Sequence, residues 1–595
     1  MADTMKGLKR THYCGEVPDD AQTVVVGGYV QKIRNLGNLI FIDLRDRTGI
    51  VQLAFDDSTD RAIFEKAASC RSEFVLMCKG DVRQRESKNP DMKTGNIEIS
   101  VTDLRILAKA QTPPFEIVDN SNTNEELRLK YRYLDLRRKP LQDNIIMRSK
   151  IAKLARDYFY ENGFIEIETP MMIKSTPEGA RDYLVPSRVH PGSFYALPQS
   201  PQIYKQLLMV AGFDRYIQLA RCFRDEDLRA DRQLEFTQID LEMSFVEADD
   251  IMAMVEGFIG RLVSELTDKD VSLPLPRMTY TEAMARYGSD KPDTRFGMEI
   301  TDLSAVVKDT DFAVFKSALE AGGSVRCITA KNGAAVFSRK EMDKLTEYVK
   351  GIGAKGLAYI RWVEDKPSCS FGKFLKEGEL DAILSAAGAE KGDAVFIVAD
   401  KNSTVLSTLG ALRLKAAKQM DIIPKGKLNF LWITEFPFFE WNEETQHWDA
   451  MHHPFTMPMD ECLQYLDTAP EKVFAKAFDL VLNGTELSSG SIRITDYELQ
   501  QKMFESLGLT EEEIQAKFGF LVDAYRYGAA PHGGMGLGLD RIAMIICDAD
   551  NLRDVTAFPK VQNASELMSN APATVDKASL DILGISLAEK KEGNS

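Results

Sequence analysis

Two runs of alternating polar and apolar residues, 216–224 and 236–243, most limit how this chain can fold. They flank a charged segment, so they predict two antiparallel strands joined by a polar loop. Alternation places Arg224, Phe236 and Asp240 on faces that can share one cleft. An arginine can bind a phosphate through two N–H groups and an aromatic ring can stack on a base. An ordinary hairpin with a solvated charged tip has the same pattern.

The N-terminal region, residues 24–107, is predicted to be a small β-rich domain. Turn residues at 46–49 separate its second and third strand candidates, and a helical stretch at 59–70 precedes the fourth. Five strands in this order fit an OB-fold, a barrel that often binds oligonucleotides, and they also fit other small barrels.

The 595 residues exceed what one hydrophobic core usually serves, so we expect several domains. Apolar residues at 151, 154, 155, 158 and 159 predict a helix that stops near Gly163. A region rich in Gly and Ala predicts an α+β insertion that interrupts a second, strand-rich domain. The predicted division is 1–110, a linker 111–145, 146–290, the insertion 291–424, 425–575 and a mobile tail 576–595.

Charge and cysteine usage exclude some classes of protein. No run of eighteen apolar residues and no apolar signal core are present, so a cytoplasmic protein is expected. The eight cysteines form no CxxC pair, which indicates free thiols. The net charge of −16 argues against nucleic acid, but residues 128–139 carry six basic side chains against one acidic.

Two carboxylates, Asp479 and Glu486, lie seven residues apart in FDLVLNGTE. Seven is a helical spacing, but Asn483-Gly484 makes a turn between two strands the better interpretation. Acidic residues beside a turn are most often solvated surface.

Three ordered motifs resemble those of class II aminoacyl-tRNA synthetases. The segment FRDEDLRADRQLEFTQIDLEM resembles motif 2 in its aspartyl form, GFIEIETPMM resembles motif 1 and GMGLGLDRIAM resembles motif 3. Flanking segments TPEGARDYLVPSR and LPQSPQIYKQLLM narrow the resemblance to bacterial aspartyl-tRNA synthetases, and the insertion resembles that family's GAD domain. The resemblance covers nearly the whole chain, whereas the chain has no G-x-x-x-x-G-K-[ST] or G-x-G-x-x-G loop.

The resemblance implies a six-stranded antiparallel catalytic sheet with an ATP site. Arg224 would hold the α-phosphate, Phe236 would stack on adenine, and Arg541 would cover its other side and reach the γ-phosphate. Asp479 and Glu486 would bind Mg²⁺, a hard cation that prefers carboxylates. The implied ATP-binding residues are Arg224, Asp225, Glu226, Gln233, Phe236, Glu486, Gly538, Leu539, Asp540 and Arg541.

The same resemblance implies an aspartate site. Lys205 and Arg493 would grip the side-chain carboxylate, so asparagine would leave positive charge unpaired at a cost of about 2–5 kcal/mol. His452 and His453 would lie on a loop that closes over the substrate, and since adjacent histidines on a strand face opposite ways, we expect at most one of them to touch the ligand. The implied aspartate-binding residues are Glu178, Gln202, Lys205, Arg224, Asp240, His452, His453 and Arg493.

The implied reaction has two steps, formation of aspartyl-adenylate with release of pyrophosphate and transfer of aspartate to the 3′ end of tRNA. Arg224 and Arg541 would be catalytic through charge neutralisation and positioning. Arg34, Phe41 and Gln52 match anticodon contacts on the barrel, and the basic stretch 128–139 would meet tRNA phosphates. Pro170 would lie at the interface of a homodimer.

Two alternatives stay open. A relaxed enzyme would charge both tRNA-Asp and tRNA-Asn, although Leu36 resembles the strict form. A non-catalytic tRNA-binding paralogue should have lost some of Arg224, Glu486 and Arg541, and all three are present. The insertion and the PEGARDYLVPSR segment argue against asparaginyl- and lysyl-tRNA synthetases.

Overall fold

The computed structural model of the chain separates into two units. The first contains Met1–Ile146 with Arg553–Ala573, and the second contains Met147–Leu552 with Thr574–Ser595. In the part of the chain that the structure describes, no helix is long and apolar enough to cross a membrane. The described residues are 2–176, 179–364, 366–442 and 446–588.

A closed five-stranded barrel forms the first unit. Its strands alternate buried and exposed side chains, as in IFIDLRD, because each strand has one face in the barrel core. The barrel order is β1-β2-β3-β5-β4, with helix α1 between β3 and β4. This arrangement confirms the predicted OB-fold. The elements are β1 (Thr23–Asn35), β2 (Ile40–Asp46), β3 (Gly49–Phe55), α1 (Arg61–Ala68), β4 (Val75–Gln84) and β5 (Ile97–Ala108).

Short helices follow the barrel. These are α2 (Glu125–Lys130) and α3 (Arg132–Asp135), followed by the long helix α4 (Lys139–Glu161). The apolar stripe predicted in α4 is confirmed, since Ile151, Ala155 and Phe159 are fully buried. Helix α4 ends two residues before Gly163, which adopts a left-handed conformation.

An eight-stranded sheet forms the centre of the second unit, in the order β11-β17-β20-β21-β22-β10-β9-β6. Its six middle strands are antiparallel, which confirms the predicted sheet, and the short edge strands β11 and β6 are parallel to their neighbours. The strands are β6 (Ile165–Glu166), β9 (Arg215–Phe223), β10 (Glu235–Ser244), β11 (Arg277–Thr279), β17 (Phe430–Pro437), β20 (Phe474–Leu482), β21 (Thr485–Ile492) and β22 (His532–Gly538).

Helices and two small hairpins complete this part of the second unit. The hairpins are β7 (Leu184–Pro186) with β8 (Phe194–Ala196) and β18 (Phe439–Asn442) with β19 (His447–Ala450). The helices are α5 (Gln202–Val210), α6 (Ala248–Leu266), α7 (Tyr280–Tyr287), α12 (Tyr497–Ser506), α13 (Glu511–Tyr525) and α14 (Leu539–Ile546).

A second sheet with its own core lies between α7 and β17 in sequence. Its five antiparallel strands have the order β12-β13-β16-β14-β15. Two hydrophobic core clusters form where helices pack against this sheet. The predicted α+β insertion therefore has the expected content, while its boundaries at 291 and 424 stay a prediction. The elements are β12 (Thr301–Asp302), α8 (Ala313–Glu320), β13 (Ser324–Ala330), α9 (Arg339–Ile352), β14 (Ala358–Val363), β15 (Lys366–Cys369), α10 (Glu379–Ala386), β16 (Ala394–Asp400) and α11 (Asn402–Gln419).

The C-terminal segment contains a helix within the predicted tail, whose mobility stays a prediction. Helix α15 (Lys577–Leu583) begins where Asp576 accepts a hydrogen bond from the Ser579 amide and ends at the left-handed Gly584. Both are recognisable start and stop signals in the sequence. Residues 589–595 lie outside the described residues.

Candidate functional site

A cavity of about 400 Å³ lies over the central strands of the eight-stranded sheet. Strands β10, β21 and β22 supply its floor, and α5, the loop after β9 and the segment 452–456 supply its walls. It brings together most of the residues that the resemblance implied. Those that line it are Gln202, Lys205, Arg224, Glu226, Gln233, Phe236, Asp240, His452, His453, Glu486, Arg493, Gly538, Asp540 and Arg541.

One end of the cavity holds a buried network of two cations and two carboxylates. The Lys205 ammonium donates to Asp240 Oδ1 at 2.6 Å and lies 3.2 Å from Glu242 Oε2. These side chains are almost fully buried. Lys205 reaches them from α5, while strand alternation on β10 points both carboxylates to the same face.

Arg493 completes this network from the residue after β21. Its Nε and Nη2 donate to the two oxygens of Glu242 at 2.9 and 3.2 Å, and Nη2 also donates to the Gly534 carbonyl. Its Nη1 donates to His453 Nε2 at 2.7 Å and to Ser491 Oγ at 2.6 Å. All five guanidinium donors therefore have partners, but the two on Nη1 serve neutral acceptors.

The two carboxylates differ in how firmly they hold their charge. Burial would raise the pKa of Glu242, but Arg493 and Lys205 outweigh it and lower that pKa to about 2. Burial raises the pKa of Asp240, although Lys205 opposes the shift. Glu242 is thus the permanent anion of the network and Asp240 the carboxylate that is easier to protonate.

The glycine run that precedes Arg541 leaves room for this network. A Cβ on Gly534 would lie 2.1 Å from Glu242 Oε2, so a larger residue there would expel the carboxylate. A Cβ on Gly536 would lie 3.0 Å from Asp240 Oδ2. The backbone of this run therefore approaches the protein's own carboxylates closely.

Both histidines line the cavity, in an irregular segment rather than a strand. How many of them touch the ligand stays a prediction. Burial lowers the pKa of His452 to about 4 and holds the pKa of His453 well below its usual value. Since Arg493 can only donate, His453 Nε2 accepts this bond, while His453 Nδ1 accepts from the Phe455 amide at 3.3 Å.

The other end of the cavity holds cationic and aromatic groups with fewer partners. The Arg224 guanidinium lies 5.2 Å from the centre of the Phe236 ring, and its buried Nε has no hydrogen-bond partner among the described residues. Phe236 is half-buried on β10 opposite Cys222 of β9. The hairpin thus presents a flat ring beside an unsatisfied cation, as its alternation predicted.

Arg541 lies across this end, in the first turn of α14. Its Nη1 donates to the Glu486 carbonyl at 2.8 Å and lies 4.0 Å from the Glu486 carboxylate, while Nη2 lies 3.5 Å from Asp231. Glu226 and Arg232 form an ion pair of 2.9 Å in the loop between β9 and β10. The two Arg541 pairs are long, and all three pairs are partly exposed. Ion pairs with these properties are weak and can open to admit a charged ligand.

Asp479 and Glu486 lie on the two strands of one hairpin, β20 and β21. Its turn residues Asn483 and Gly484 both have positive φ, the conformation that Asn-Gly favours, so the predicted turn is confirmed. Asp479 is buried, and its Oδ1 has no hydrogen-bond partner among the described residues. Burial and the nearby Glu486 carboxylate raise the pKa of Asp479 well above its usual value.

Some predicted residues lie outside the cavity lining. Asp225 forms an exposed ion pair of 3.6 Å with Arg181, while Leu539 and Asp479 are buried and do not line the cavity. Pro170 is exposed away from the cavity. Glu178 lies outside the described residues.

Asp540 lines the cavity, yet its carboxylate is occupied by protein groups. It accepts from the Thr237 amide at 2.7 Å and from Arg148 Nη2 at 2.7 Å. These bonds tie the start of α14 to β10 and α4. No sequence signal indicated Arg148, whereas Glu242 could have been found from its alternation with Asp240.

The three residues matched to anticodon contacts form one cluster on the barrel. Arg34 Nη2 donates to Gln52 Oε1 at 2.7 Å, and its guanidinium lies 5.5 Å from the Phe41 ring centre. Arg34 also pairs with Asp43 at 3.1 Å, and Gln52 donates to Glu98. Neighbouring strands β1, β2 and β3 bring these side chains together through their register.

The basic stretch 128–139 is only partly available to a ligand. Arg128, Arg132 and Arg138 all pair with the buried Asp135, and the last two are themselves buried. The single acidic residue of the stretch thus organises half of its basic ones. Lys130 and Lys139 remain exposed.

This fold and this cavity are those expected for a class II aminoacyl-tRNA synthetase, and comparisons with known proteins agree. The family model "tRNA synthetases class II (D, K and N)" matches residues 124–562, and "OB-fold nucleic acid binding domain" matches residues 24–107. The chain belongs to the class II tRNA synthetases of this D, K and N family.

Curated relatives match the chain along its whole length. "Aspartate--tRNA ligase" of Ruminiclostridium cellulolyticum is 57% identical and covers 99% of this chain and 100% of its own. "Aspartate--tRNA(Asp/Asn) ligase" of Lachnoclostridium phytofermentans is 56% identical and covers 99% of both.

Solved structures share the fold at much lower identity. Asparaginyl-tRNA synthetase from Pyrococcus horikoshii, complexed with asparaginyl-adenylate, superposes with a TM-score of 0.57 at 18% identity, covering 93% of this chain and 98% of its own. Aspartyl-tRNA synthetase from Entamoeba histolytica gives 0.56 at 19% identity, covering 93% and 92%.

Proposed function

We propose that the chain is an aspartate–tRNA ligase that forms aspartyl-adenylate from L-aspartate and ATP, releases pyrophosphate and transfers aspartate to the 3′ end of tRNA-Asp. The observation that carries the proposal is Arg493 Nη1, which donates to the neutral acceptors His453 and Ser491 while Glu242 holds the other side of the guanidinium. Relatives that match the full length are named as ligases of this kind.

A substrate carboxylate is a stronger acceptor than an imidazole or a hydroxyl. It would therefore take Nη1 from those two groups, while the charged pair with Glu242 keeps the guanidinium plane in place. Lys205 would supply the second cation. The side-chain amide of asparagine is neutral, so it would displace His453 and Ser491 from Nη1 without adding a charged hydrogen bond. The site should therefore bind asparagine more weakly than aspartate.

The adenylate end would act by positioning and by neutralising charge. Arg224 would bind the α-phosphate, because its buried Nε has no partner among the described residues and lies beside Phe236, on which adenine would stack. Arg541 would leave its long pairs with Asp231 and Glu486 for the γ-phosphate. Glu226, Gln233 and Gly538 would contact the nucleotide, and Asp540 would serve by holding α14 against β10.

Asp479 and Glu486 would hold Mg²⁺. The buried Oδ1 of Asp479 has no hydrogen-bond partner in the described part of the chain, and this and the raised pKa of Asp479 fit a position that a cation completes. No group of three or more possible metal ligands occurs in the described ranges, so substrate phosphates would have to supply further ligands. The bound cation would neutralise charge on the triphosphate.

The barrel cluster of Arg34, Phe41 and Gln52 would contact anticodon bases. Phe41 is half-buried on the outer face of β2, where a base could stack on it. Pro170 would lie in a homodimer interface, since the neighbouring Ile165, Met171 and Met172 are exposed apolar side chains.

The test is ATP-dependent charging with labelled aspartate, on purified tRNA-Asp and tRNA-Asn transcripts, with asparagine as the matched competitor. Charging of tRNA-Asp with aspartate, and none with asparagine, supports the proposal. The absence of charging and of aspartate-dependent ATP–pyrophosphate exchange from folded protein with magnesium would refute it in favour of a tRNA-binding paralogue.

A second candidate is the relaxed form that charges tRNA-Asn as well. It is favoured by relatives at 55–56% identity that are named for both tRNAs. Leu36, matched to the strict form, lies in the loop between β1 and β2 and is 68% exposed, so it could contact an anticodon base. Comparable charging of both transcripts would establish this form.

A further inference from the structure

A second cleft, of about 380 Å³, lies at the junction of the insertion and the eight-stranded sheet, and we call it the lysine cleft. Its walls come from the end of α11, the segment 423–428, the β20–β21 turn and the end of α14. No aromatic side chain is among the described residues that line it. Its charged lining residues are Lys269, Arg295, Lys418, Lys425, Lys427, Asp421 and Asp548.

Four of these cations have no compensating partner. Arg295 is paired with Asp293 at 2.7 Å, but the ammonium groups of the four lysines form no ion pair or hydrogen bond within the described ranges. Two aspartates in the lining offset them only in part. A local excess of positive charge is unusual in a chain whose net charge is −16.

The lysine cleft is anchored to the hairpin that carries Asp479 and Glu486. Asn483, at the turn, donates from Nδ2 to the Lys427 carbonyl at 2.8 Å and accepts at Oδ1 from the Asn429 amide at 2.9 Å. Thr485 lines the lysine cleft and Glu486, the next residue, lines the large cavity. The two surfaces therefore adjoin along one strand.

We propose that the lysine cleft binds backbone phosphates of the acceptor arm of the tRNA whose 3′ end enters the large cavity. This inference rests on the proposed function. The lining of the lysine cleft begins one residue along β21 from the lining of the large cavity, and an RNA brings one negative charge per nucleotide. Unpaired lysines would bind those charges by replacing the counterions of the RNA.

The chemistry of the lining favours phosphates over bases. Lysine ammonium groups on flexible stems bind phosphates as point charges, and no aromatic side chain offers a surface for base stacking. The contacts would therefore add affinity without reading sequence. The insertion would thus serve as a support for the acceptor arm.

The experiment compares the full-length triple variant K418A/K425A/K427A with a control of equal net charge, K150A/K340A/K577A. The control lysines are exposed, lie outside the lysine cleft and have no ion pair among the described residues. Dissociation constants are measured over a range of KCl concentrations for tRNA-Asp, an acceptor-arm minihelix and an anticodon stem-loop. ATP–pyrophosphate exchange without tRNA is measured alongside.

We expect the triple variant to bind tRNA-Asp and the minihelix about tenfold more weakly at moderate salt and to lower the salt slope by about 2–3. Its binding of the stem-loop and its exchange rate should match the control. Minihelix binding equal to that of the control, or a loss confined to the stem-loop, would overturn the inference. Binding is measured directly and does not depend on catalysis. A wild-type protein that shows no ATP–pyrophosphate exchange would therefore refute the proposed function, while the binding data would still test the lysine cleft.

Discussion

The two ends of the large cavity are built on opposite principles. At one end Lys205, Asp240, Glu242 and Arg493 are buried and satisfy one another, so every Arg493 donor has a partner. At the other end Arg224 Nε has no hydrogen-bond partner among the described residues. Asp479 Oδ1 is unsatisfied in the same sense.

This difference indicates which charged groups of a ligand would bind at each end of the cavity. The first end is electrically balanced, so it can exchange a weak neutral acceptor for a substrate carboxylate without rearranging. At the second end, cations and carboxylates form only long or partly exposed pairs, which phosphates and a metal ion would replace. Preorganised charge of this kind lowers the reorganisation needed during catalysis.

The substitution with the largest expected effect on stability is Glu242→Gln. It leaves Arg493 without its charged partner in a buried position, which should lower the free energy of unfolding by about 3–5 kcal/mol. Urea denaturation followed by circular dichroism measures this. A variant as stable as the wild type would contradict the view that the buried charges at this end of the cavity stabilise one another.

The control for that measurement is Glu265→Gln. Glu265 pairs with Arg261 at 2.7 Å on an exposed face of α6 and is 48% exposed. An exposed pair contributes about 0–1 kcal/mol, so this variant should stay close to the wild type. Equal losses in the two variants would mean that burial of the Glu242 network is not what stabilises it.

The next largest effect is expected at the other end, from Arg224→Ala. Removing one group that stabilises developing charge typically lowers the rate by about 10²–10³-fold, and ATP–pyrophosphate exchange measures this. The free energy of unfolding should change by less than about 0.5 kcal/mol, because Arg224 Nε bonds to no described residue. Arg339→Ala, on the exposed start of α9, should alter neither quantity. A large loss of stability in the Arg224 variant would contradict this comparison, because Arg224 would then stabilise the fold as Glu242 does.

A smaller effect should follow from pH through His452. Burial lowers its pKa from an ordinary 6.5 to about 4, so between those values the unfolded chain binds a proton that the folded one excludes. Stability should therefore fall as pH drops from 7 to 5, by about 2 kcal/mol from this residue. Asp290 and Arg493 are the charged groups that act on it, with opposite sign.

Denaturation at several pH values in His452→Gln checks this. The variant should show a shallower pH dependence between 4 and 6.5 than the wild type. His190→Gln is the control, because His190 is exposed. An unchanged slope in His452→Gln would contradict the expected role of burial.

Features set by local patterns could be predicted from the sequence. Alternation on β9 and β10 predicted the hairpin that bears Arg224 and Phe236, and Asn483-Gly484 predicted the turn between β20 and β21. Both depend on neighbouring residues alone. The order of strands and helix predicted the barrel for the same reason.

Features set by distant partners could not be predicted. The positions of Lys205 on α5 and Arg493 after β21 say nothing of Glu242, which both of them bind. Arg148 reaches Asp540 across about four hundred residues of sequence. Strand alternation says nothing of His452 and His453, because their backbone is irregular. Site roles drawn from the family resemblance stay predictions until the variants are measured.

The smallest expected effect is also the sharpest test of the contrast, because its sign is reversed. Asp479→Asn removes a buried carboxylate whose pKa burial and Glu486 raise, so in magnesium-free buffer the variant should be more stable by about 1 kcal/mol. Neutralising Glu242 destabilises one end, whereas neutralising Asp479 should stabilise the other. With magnesium and ATP the wild type should gain stability through ligand binding and the variant should not, since the missing carboxylate weakens the site. Thermal unfolding in the two buffers measures both effects, and a destabilised, magnesium-responsive variant would show that Asp479 supports the fold.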